Sequence, residues 1–253
     1  MNWFEIAGFV ALGLVAGTYG TVVGVGGGLL IVPVLIFAHF APKQAVGTSM
    51  AVVFANAVSG SVLFLRQQRV EIRTGVMFAL MGLPGTWLGA YVDQIINRRS
   101  FSLLLGLFLF VMAMRLLFGK LTAAEAGAPG VNRQRLWLAL LAAFVTGFLA
   151  NLFGVGGGII YVPTFLVILN FAAHVATATS TFTIALTALF GTASHAYYGD
   201  IIWGPAVALA VGAVAGAQIG ARLAPRIRSV RLIRLFSIAV FVTGGWLIYQ
   251  GMR

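Results

Sequence analysis

The sequence predicts an all-α polytopic membrane protein made of two homologous repeats, with about eight transmembrane helices and two short half-helices. Three observations carry that prediction. First, the 253 residues are 60% apolar or aromatic and only 8% charged, with a mean hydropathy of +1.02; a soluble globular domain carries roughly 25% charged residues. Five carboxylates and sixteen basic groups cannot cover the surface of a 26.7 kDa soluble protein, so the soluble class is excluded. Second, long apolar runs alternate with short basic loops. Third, a ten-residue glycine motif occurs twice.

A bilayer core of roughly 30 Å takes about 20 apolar residues as a helix. The first run, Phe4–Val23, has no basic leader and no small-residue cleavage pattern before it, so it reads as a retained membrane segment and not a signal peptide. Gln44–Leu65, Thr74–Val92 and Phe101–Phe118 follow, then Leu136–Phe153, Ala173–Tyr197, Ile202–Leu223 and Leu232–Tyr249. Two shorter apolar pieces, Leu29–Phe40 and Ile159–Phe171, each follow a glycine cluster and are too short to span comfortably. The hydrophilic stretch from Gly119 to Gln134, with Gly127, Pro129 and Gly130, is the expected connection. The domain boundaries expected from this are a first transmembrane repeat at 1–119, a linker at 120–134 and a second repeat at 135–253.

The repeat itself is explicit. Gly24-Val-Gly-Gly-Gly-Leu-Leu-Ile-Val-Pro33 returns as Gly154-Val-Gly-Gly-Gly-Ile-Ile-Tyr-Val-Pro163, identical at seven of ten positions. The register continues with one insertion: Thr48-Ser49 aligns with Thr179-Ser180, and Gly85/Gly89-Ala90 with Gly216/Gly220-Ala221.

The formal net charge of +11 does not point to nucleic acid, because the bases fall between spans and not on a basic, aromatic-interleaved face. Lys and Arg concentrate in cytoplasmic loops, which places 66–73, 119–135 and 222–234 inside. The turn matching 66–73 in the second half, at 198–203, holds Asp200 and no base. That pattern predicts inverted repeats; Arg98 and Arg99 on the opposite side leave parallel repeats as the alternative. The expected location is the cell inner membrane, with the lipid bilayer as environment and no nucleic-acid partner. The oligomeric state is open, a homodimer included.

Glycine has no Cβ to penalise positive φ, and non-helical backbone at membrane depth must be buried or line a cavity. Gly24–Gly28 and Gly154–Gly158 therefore predict two breaks. Pro33 and Pro163 suit the first turn of a following short helix. Exposed glycine amides and a helix N-terminus favour an anion, and broken helices at matching repeat positions point to a transporter's binding site. The candidate site is Gly26, Gly27 and Gly28 with Gly156, Gly157 and Gly158. Gly85/Gly89 and Gly216/Gly220 read as close-packing positions. A phosphate-binding loop is excluded, because no Lys-Ser/Thr follows the glycines.

The duplicated GVGGG-x-x-x-VP, the Thr-Ser pair about fifteen residues on and the Gly-x-x-x-Gly-Ala helix resemble the TauE/SafE sulfite-exporter family of membrane permeases, over essentially the whole chain. The resemblance implies an inner-membrane transporter exporting sulfite, an organosulfonate or a related small anion. An anion channel or facilitator, or an uptake permease for another small anion, is the alternative.

Polar residues complete the candidate site. Thr48, Ser49, Thr179 and Ser180 recur at equivalent positions and offer hydroxyls to an oxyanion, though they also suit helix caps. Asn56 and Asn151 sit in apolar runs, where an unpaired amide is costly. His39, His174 and His195 match no metal motif, and Asp93 is expected to reach water from a helix end. With no cysteine in the chain, no thiolate metal site is available; no cofactor, no metal and no catalytic residue is predicted. The Gly-x-Ser-x-Gly and His-Glu-x-x-His signatures of intramembrane hydrolases are missing, so an enzyme is not expected. A carboxylate in the middle of a span is missing too, which favours export down the electrical gradient without a coupling ion.

Overall fold

The computed structural model describes residues 2–118, 133–224, 241 and 244–249. Most of the expected linker, most of the last apolar run and most of the 222–234 loop lie outside the described residues, and the linker's last two positions, Arg133 and Gln134, already belong to a helix. Within them the chain is all helical, with α1 (Trp3–Val23), α2 (Gly28–Phe37), α3 (Pro42–Arg66), α4 (Ile72–Ile95), α5 (Arg98–Phe118), α6 (Arg133–Phe153), α7 (Gly158–Pro163), α8 (Ala173–Tyr197) and α9 (Trp203–Leu223). Five of them, α1, α3, α4, α8 and α9, are long and apolar enough to cross a membrane. Shorter apolar helical stretches lie at Arg99–Val111 and Trp137–Phe153.

The packing is inside-out relative to a soluble protein. Small residues line the closest helix contacts while many large apolar ones face outward: on α1, Gly13, Ala16, Gly17 and Gly20 are buried, and Trp87, Leu141 and Val211 on other helices are each at least 60% exposed. Without a hydrophobic drive between helices in lipid, close backbone approach carries association. α1 runs alongside α9 in the same direction, with Gly13 against Leu209 and Gly17 against Ala213. Likewise α4 runs alongside α6, with Gly85 against Phe144 and Gly89 against Phe148. The reading of Gly85/Gly89 and Gly216/Gly220 as packing glycines agrees with this, since Gly216 and Gly220 lie on the carbonyls of Leu14 and Thr18.

α3 and α8 form the antiparallel centre. At one end, the Ile202 amide donates to Thr48 Oγ1 at 3.1 Å; at the other, the Glu71 amide donates to Thr179 Oγ1 at 3.0 Å. The start of each helix is thus tied to the residues just past the end of the other.

The short helices depart from expectation in one respect. Pro33 and Pro163 do not open helices: α2 already starts at Gly28 and α7 at Gly158, and each proline sits inside or at the end of its helix. The glycine caps supply the turn that proline was expected to supply. Gly27 and Gly157, at φ +84° and +76°, stand immediately before the helices in left-handed geometry. Proline then acts later, by removing an amide from the helical ladder. After Pro163 the chain widens into a π-helical turn, Thr164–Ile168.

Candidate functional site

The two glycine breaks lie against each other in the buried centre. Residues 24–28 and 154–158 are all buried. A Cβ on Gly28 would strike the Gly154 carbonyl, and a Cβ on Gly158 would strike the Gly24 carbonyl. Gly156 likewise faces the Val25 carbonyl at 2.9 Å from where its Cβ would stand. Val53 and Ile184 pack on Gly26, and Val53 also on Gly156. The two breaks therefore touch through backbone, which only glycine permits at this distance.

The hydroxyls of α3 and α8 reach across this crossing reciprocally. Ser49 Oγ donates to the Gly154 carbonyl at 2.7 Å, and Ser180 Oγ donates to the Gly24 carbonyl at 2.8 Å. Asn56 Nδ2 donates to the Gly26 carbonyl at 3.3 Å, and its Oδ1 accepts from Thr21 Oγ1 at 3.3 Å. Three break carbonyls, those of Gly24, Gly26 and Gly154, are thus occupied by side-chain donors. Of the break amides, Val25 and Gly26 donate to the Gly20 carbonyl and Val155 to the Ala150 carbonyl, whereas the first N–H groups of α2 and α7 have no acceptor within their own helix. The amide ends of α2 and α7, beside these three bonded carbonyls, favour an anion at the crossing.

The predicted residues are thereby placed. Gly26, Gly27, Gly28, Gly156, Gly157 and Gly158 all belong to the crossing, and Ser49, Ser180 and Asn56 bind its backbone directly. Thr48 and Thr179 stand one residue earlier and accept the backbone amides of Ile202 and Glu71. Asn151 stands apart from this group: its Nδ2 donates to the Thr86 carbonyl at 2.8 Å, while its buried Oδ1 has no hydrogen-bond partner. An apolar groove of about 890 Å³ between α4 and α8, lined by Leu80, Trp87 and Phe190 among others, faces outward, away from the crossing. Its lining offers no convergent donors for an anion.

A second polar grouping was not anticipated. Asp93, expected to reach water, is fully buried, and neither carboxylate oxygen has a hydrogen-bond partner. The reason is packing: α4 carries it inward beside α8 and the 198–202 turn, not outward to the lipid boundary. Beside it His195 Nδ1 lies 3.2 Å from Asp200 Oδ2, and Gln94 Nε2 donates to the same oxygen at 2.5 Å. Lys43 Nζ donates to the Gln94 carbonyl at 2.8 Å. The sequence signal was there to be read. In the register set by Thr48 and Thr179, Asp93, His195 and Asp200 align with Ala224, Phe64 and Arg69, so all three break the repeat's chemistry at once.

Comparison with known proteins follows the same outline. The profile of the family described as Sulfite exporter TauE/SafE matches residues 9–247. The probable membrane transporter protein YunE of Bacillus subtilis is 32% identical, covering 96% of this chain and 97% of its own length. A probable membrane transporter protein of Xylella fastidiosa is 28% identical over 97% of this chain and 92% of its own. The probable membrane transporter protein YfcA of Escherichia coli is 27% identical over 85% and 78%. No solved structure matches. An all-helical chain with several apolar spans, matched to this profile along nearly its whole length, belongs to the TauE/SafE family of membrane transporters.

Proposed function

We propose that this membrane transporter exports a small anion of the sulfite or organosulfonate type across the cell inner membrane. The anion binds at the crossing of the two glycine breaks. The observation that carries this reading is the polarity of the crossing: Ser49, Ser180 and Asn56 hold the carbonyls of Gly154, Gly24 and Gly26. The amides that open α2 and α7, at Gly28, Leu29, Gly158 and Ile159, have no acceptor within their own helices and attract oxyanions. Gly27, Gly28, Gly157 and Gly158 supply backbone donors in this reading, and Gly26 and Gly156 allow the close approach; the Gly26 amide itself donates to the Gly20 carbonyl at 3.3 Å. Thr48, Ser49, Asn56, Asn151, Thr179 and Ser180 shape the walls.

The two halves, 1–119 and 135–253, act in this reading as inverted repeats joined by the 120–134 linker. The antiparallel α3–α8 pair and the reciprocal serine bonds support that arrangement. Inverted repeats around a central site rock against each other in alternating access. A monoanion leaving a negative-inside cell gains about 2.3 kcal/mol per 100 mV. Backbone dipoles bind it weakly enough to release it.

Purified protein in proteoliposomes tests the reading with sulfite, methanesulfonate, phosphate and chloride. The expected outcome is saturable efflux of sulfite or methanesulfonate that rises with an imposed inside-negative potential. Unitary currents without saturation would make the protein a channel; equal flux of every anion would remove the substrate class.

A further inference from the structure

The buried Asp93–His195–Asp200 grouping is not required by the fold, and the other end of the same molecule demonstrates this. Position by position, the repeat register sets Phe64 opposite His195, Ala224 opposite Asp93 and Arg69 opposite Asp200. At that end Phe64, Ala178 and Ala221 form an apolar core with Leu63, Val70 and Ala224 packed on it. There the positions matching Asp93 and His195 are filled by the apolar Ala224 and Phe64. At this end stand two carboxylates and an imidazole whose nearest ligating atoms lie within 4.8 Å of one another.

Burying charge is expensive unless it is paired, so a carboxylate without partners points to something it binds. Asp93 is 0% exposed and both of its oxygens lack a hydrogen bond. It borders a cavity of about 210 Å³ lined by Ala41, Pro42, Lys43, Ile96 and Phe101, which gives a way in from the loop side. The groups facing it are Lys43 from α3, Gln94 beside it on α4, His195 from α8 and Asp200 from the 198–202 turn; α5 presents Phe101. The Lys43 ammonium, held on Gln94, opposes a further metal cation here but leaves room for a proton. Both ring nitrogens of His195 face acceptors, Nδ1 the Asp200 carboxylate at 3.2 Å and Nε2 the Asn151 carbonyl at 3.4 Å. A ring carrying two protons donates to both.

The grouping is also wired to the crossing from two sides. Asn151, whose carbonyl faces His195, lies in the last turn of α6, three residues before Gly154. Asp200 packs on Gly47, next to Thr48 and Ser49; Thr48 accepts the Ile202 amide, and Ser49 holds the Gly154 carbonyl. A change of charge at Asp93 or His195 therefore bears on both the α6 end and the α3 start that frame the second break.

We propose that Asp93, His195 and Asp200 form a proton-binding site, entered from the side away from the 66–73 loop, and that a proton taken up there is exchanged for the exported anion. The proposal rests on the anion-export reading for its cargo but not for its proton. It is tested on the full-length purified protein in two arms. Infrared difference spectra between acid and neutral pH report carboxyl protonation without any anion. The protonated-carboxyl band of the wild type is expected to lose its Asp93 component in Asp93→Asn, the other four carboxyls contributing alike in both. Methanesulfonate, a monoanion across this pH range, is then followed in proteoliposomes with the potential clamped at zero. A one-unit inward pH step should shift its steady-state distribution about tenfold for one proton per anion, since one unit corresponds to about 1.4 kcal/mol. Asp93→Ala and His195→Phe copy residues that the mirrored end already packs, so both should insert and lose the pH response. His174→Gln should keep it.

No carboxyl band in the wild type, or an unchanged band in Asp93→Asn, would overturn the proton site. A band that behaves as expected with flux driven by sodium or a divalent ion instead would overturn the exchange. Absence of any methanesulfonate or sulfite flux would sink the export reading, while the spectroscopic arm would still decide the proton site.

Discussion

Ser49 and Ser180 each hold the other half's backbone, so their removal should be felt in stability as well as transport. Serine to alanine at either position leaves a buried carbonyl without its donor, which costs about 1–3 kcal/mol. Thermal unfolding in detergent should show Ser49→Ala and Ser180→Ala destabilised by similar amounts, because the two bonds are reciprocal at 2.7 and 2.8 Å. A tenfold difference between them in residual transport would indicate that one break carries the anion and the other only packs. Gly27 illustrates how the structure alters what a substitution reports. The sequence suggests that valine there would block the substrate while the protein still inserts. A Cβ at Gly27 falls 2.7 Å from the Ala16 carbonyl, at φ +84°. Gly27→Val should therefore lower the yield of folded protein in fluorescence-detected size exclusion, not transport alone.

At the scale of elements, helix pairs rest on glycine lines, and those lines differ in how much room they leave. Gly216 lies on the Leu14 carbonyl, so Gly216→Leu should separate α1 from α9 and abolish folded protein. Gly8 has nothing within 4 Å of its would-be Cβ, and Gly8→Ala should be neutral or stabilise by up to about 1 kcal/mol. Measuring both melting temperatures separates packing glycines from bystanders. The helices themselves were legible because apolar runs fix spans by length alone: α8 and Ala173–Tyr197 coincide, and α3 extends Gln44–Leu65 by a few residues at its ends. The starts of α2 and α7 were not, since the sequence places proline at a helix opening while glycine in left-handed geometry already provides it. Asp93 was misread for a different reason. A carboxylate three residues from a helix end looks free to reach water, and only the neighbouring α8 and the 198–202 turn, about a hundred residues away in sequence, enclose it. The duplicated chain held the missing signal: positions where one half carries charge and the other Phe64 or Ala224.

For the whole molecule, the antiparallel α3–α8 pair sets a topology that labelling can read. The 66–73 loop and the 198–202 turn lie at opposite ends of that pair, as the Thr179 and Thr48 bonds require. The chain has no cysteine, so single cysteines at Gln68 and Gly199 can be labelled from either side of the membrane. Labelling of Gln68→Cys only from the cytoplasm and Gly199→Cys only from outside is expected; both from one side would contradict the fold.

The reciprocal serines also bear on how such a protein is assembled and inherited. A polypeptide limited to residues 1–118 would contain Ser49 without the Gly154 carbonyl, and the Gly24 carbonyl without Ser180. If the halves are inverted repeats, as proposed above, what each group lacks is offered by a chain of the same kind turned upside down. Two separately encoded halves, co-expressed from a gene cut within 119–132, should find each other and restore function, whereas either half alone should be degraded. Under the proposed inverted-repeat arrangement, a one-half forebear would have needed copies inserting in both orientations, and joining them in one gene fixes their ratio at one to one.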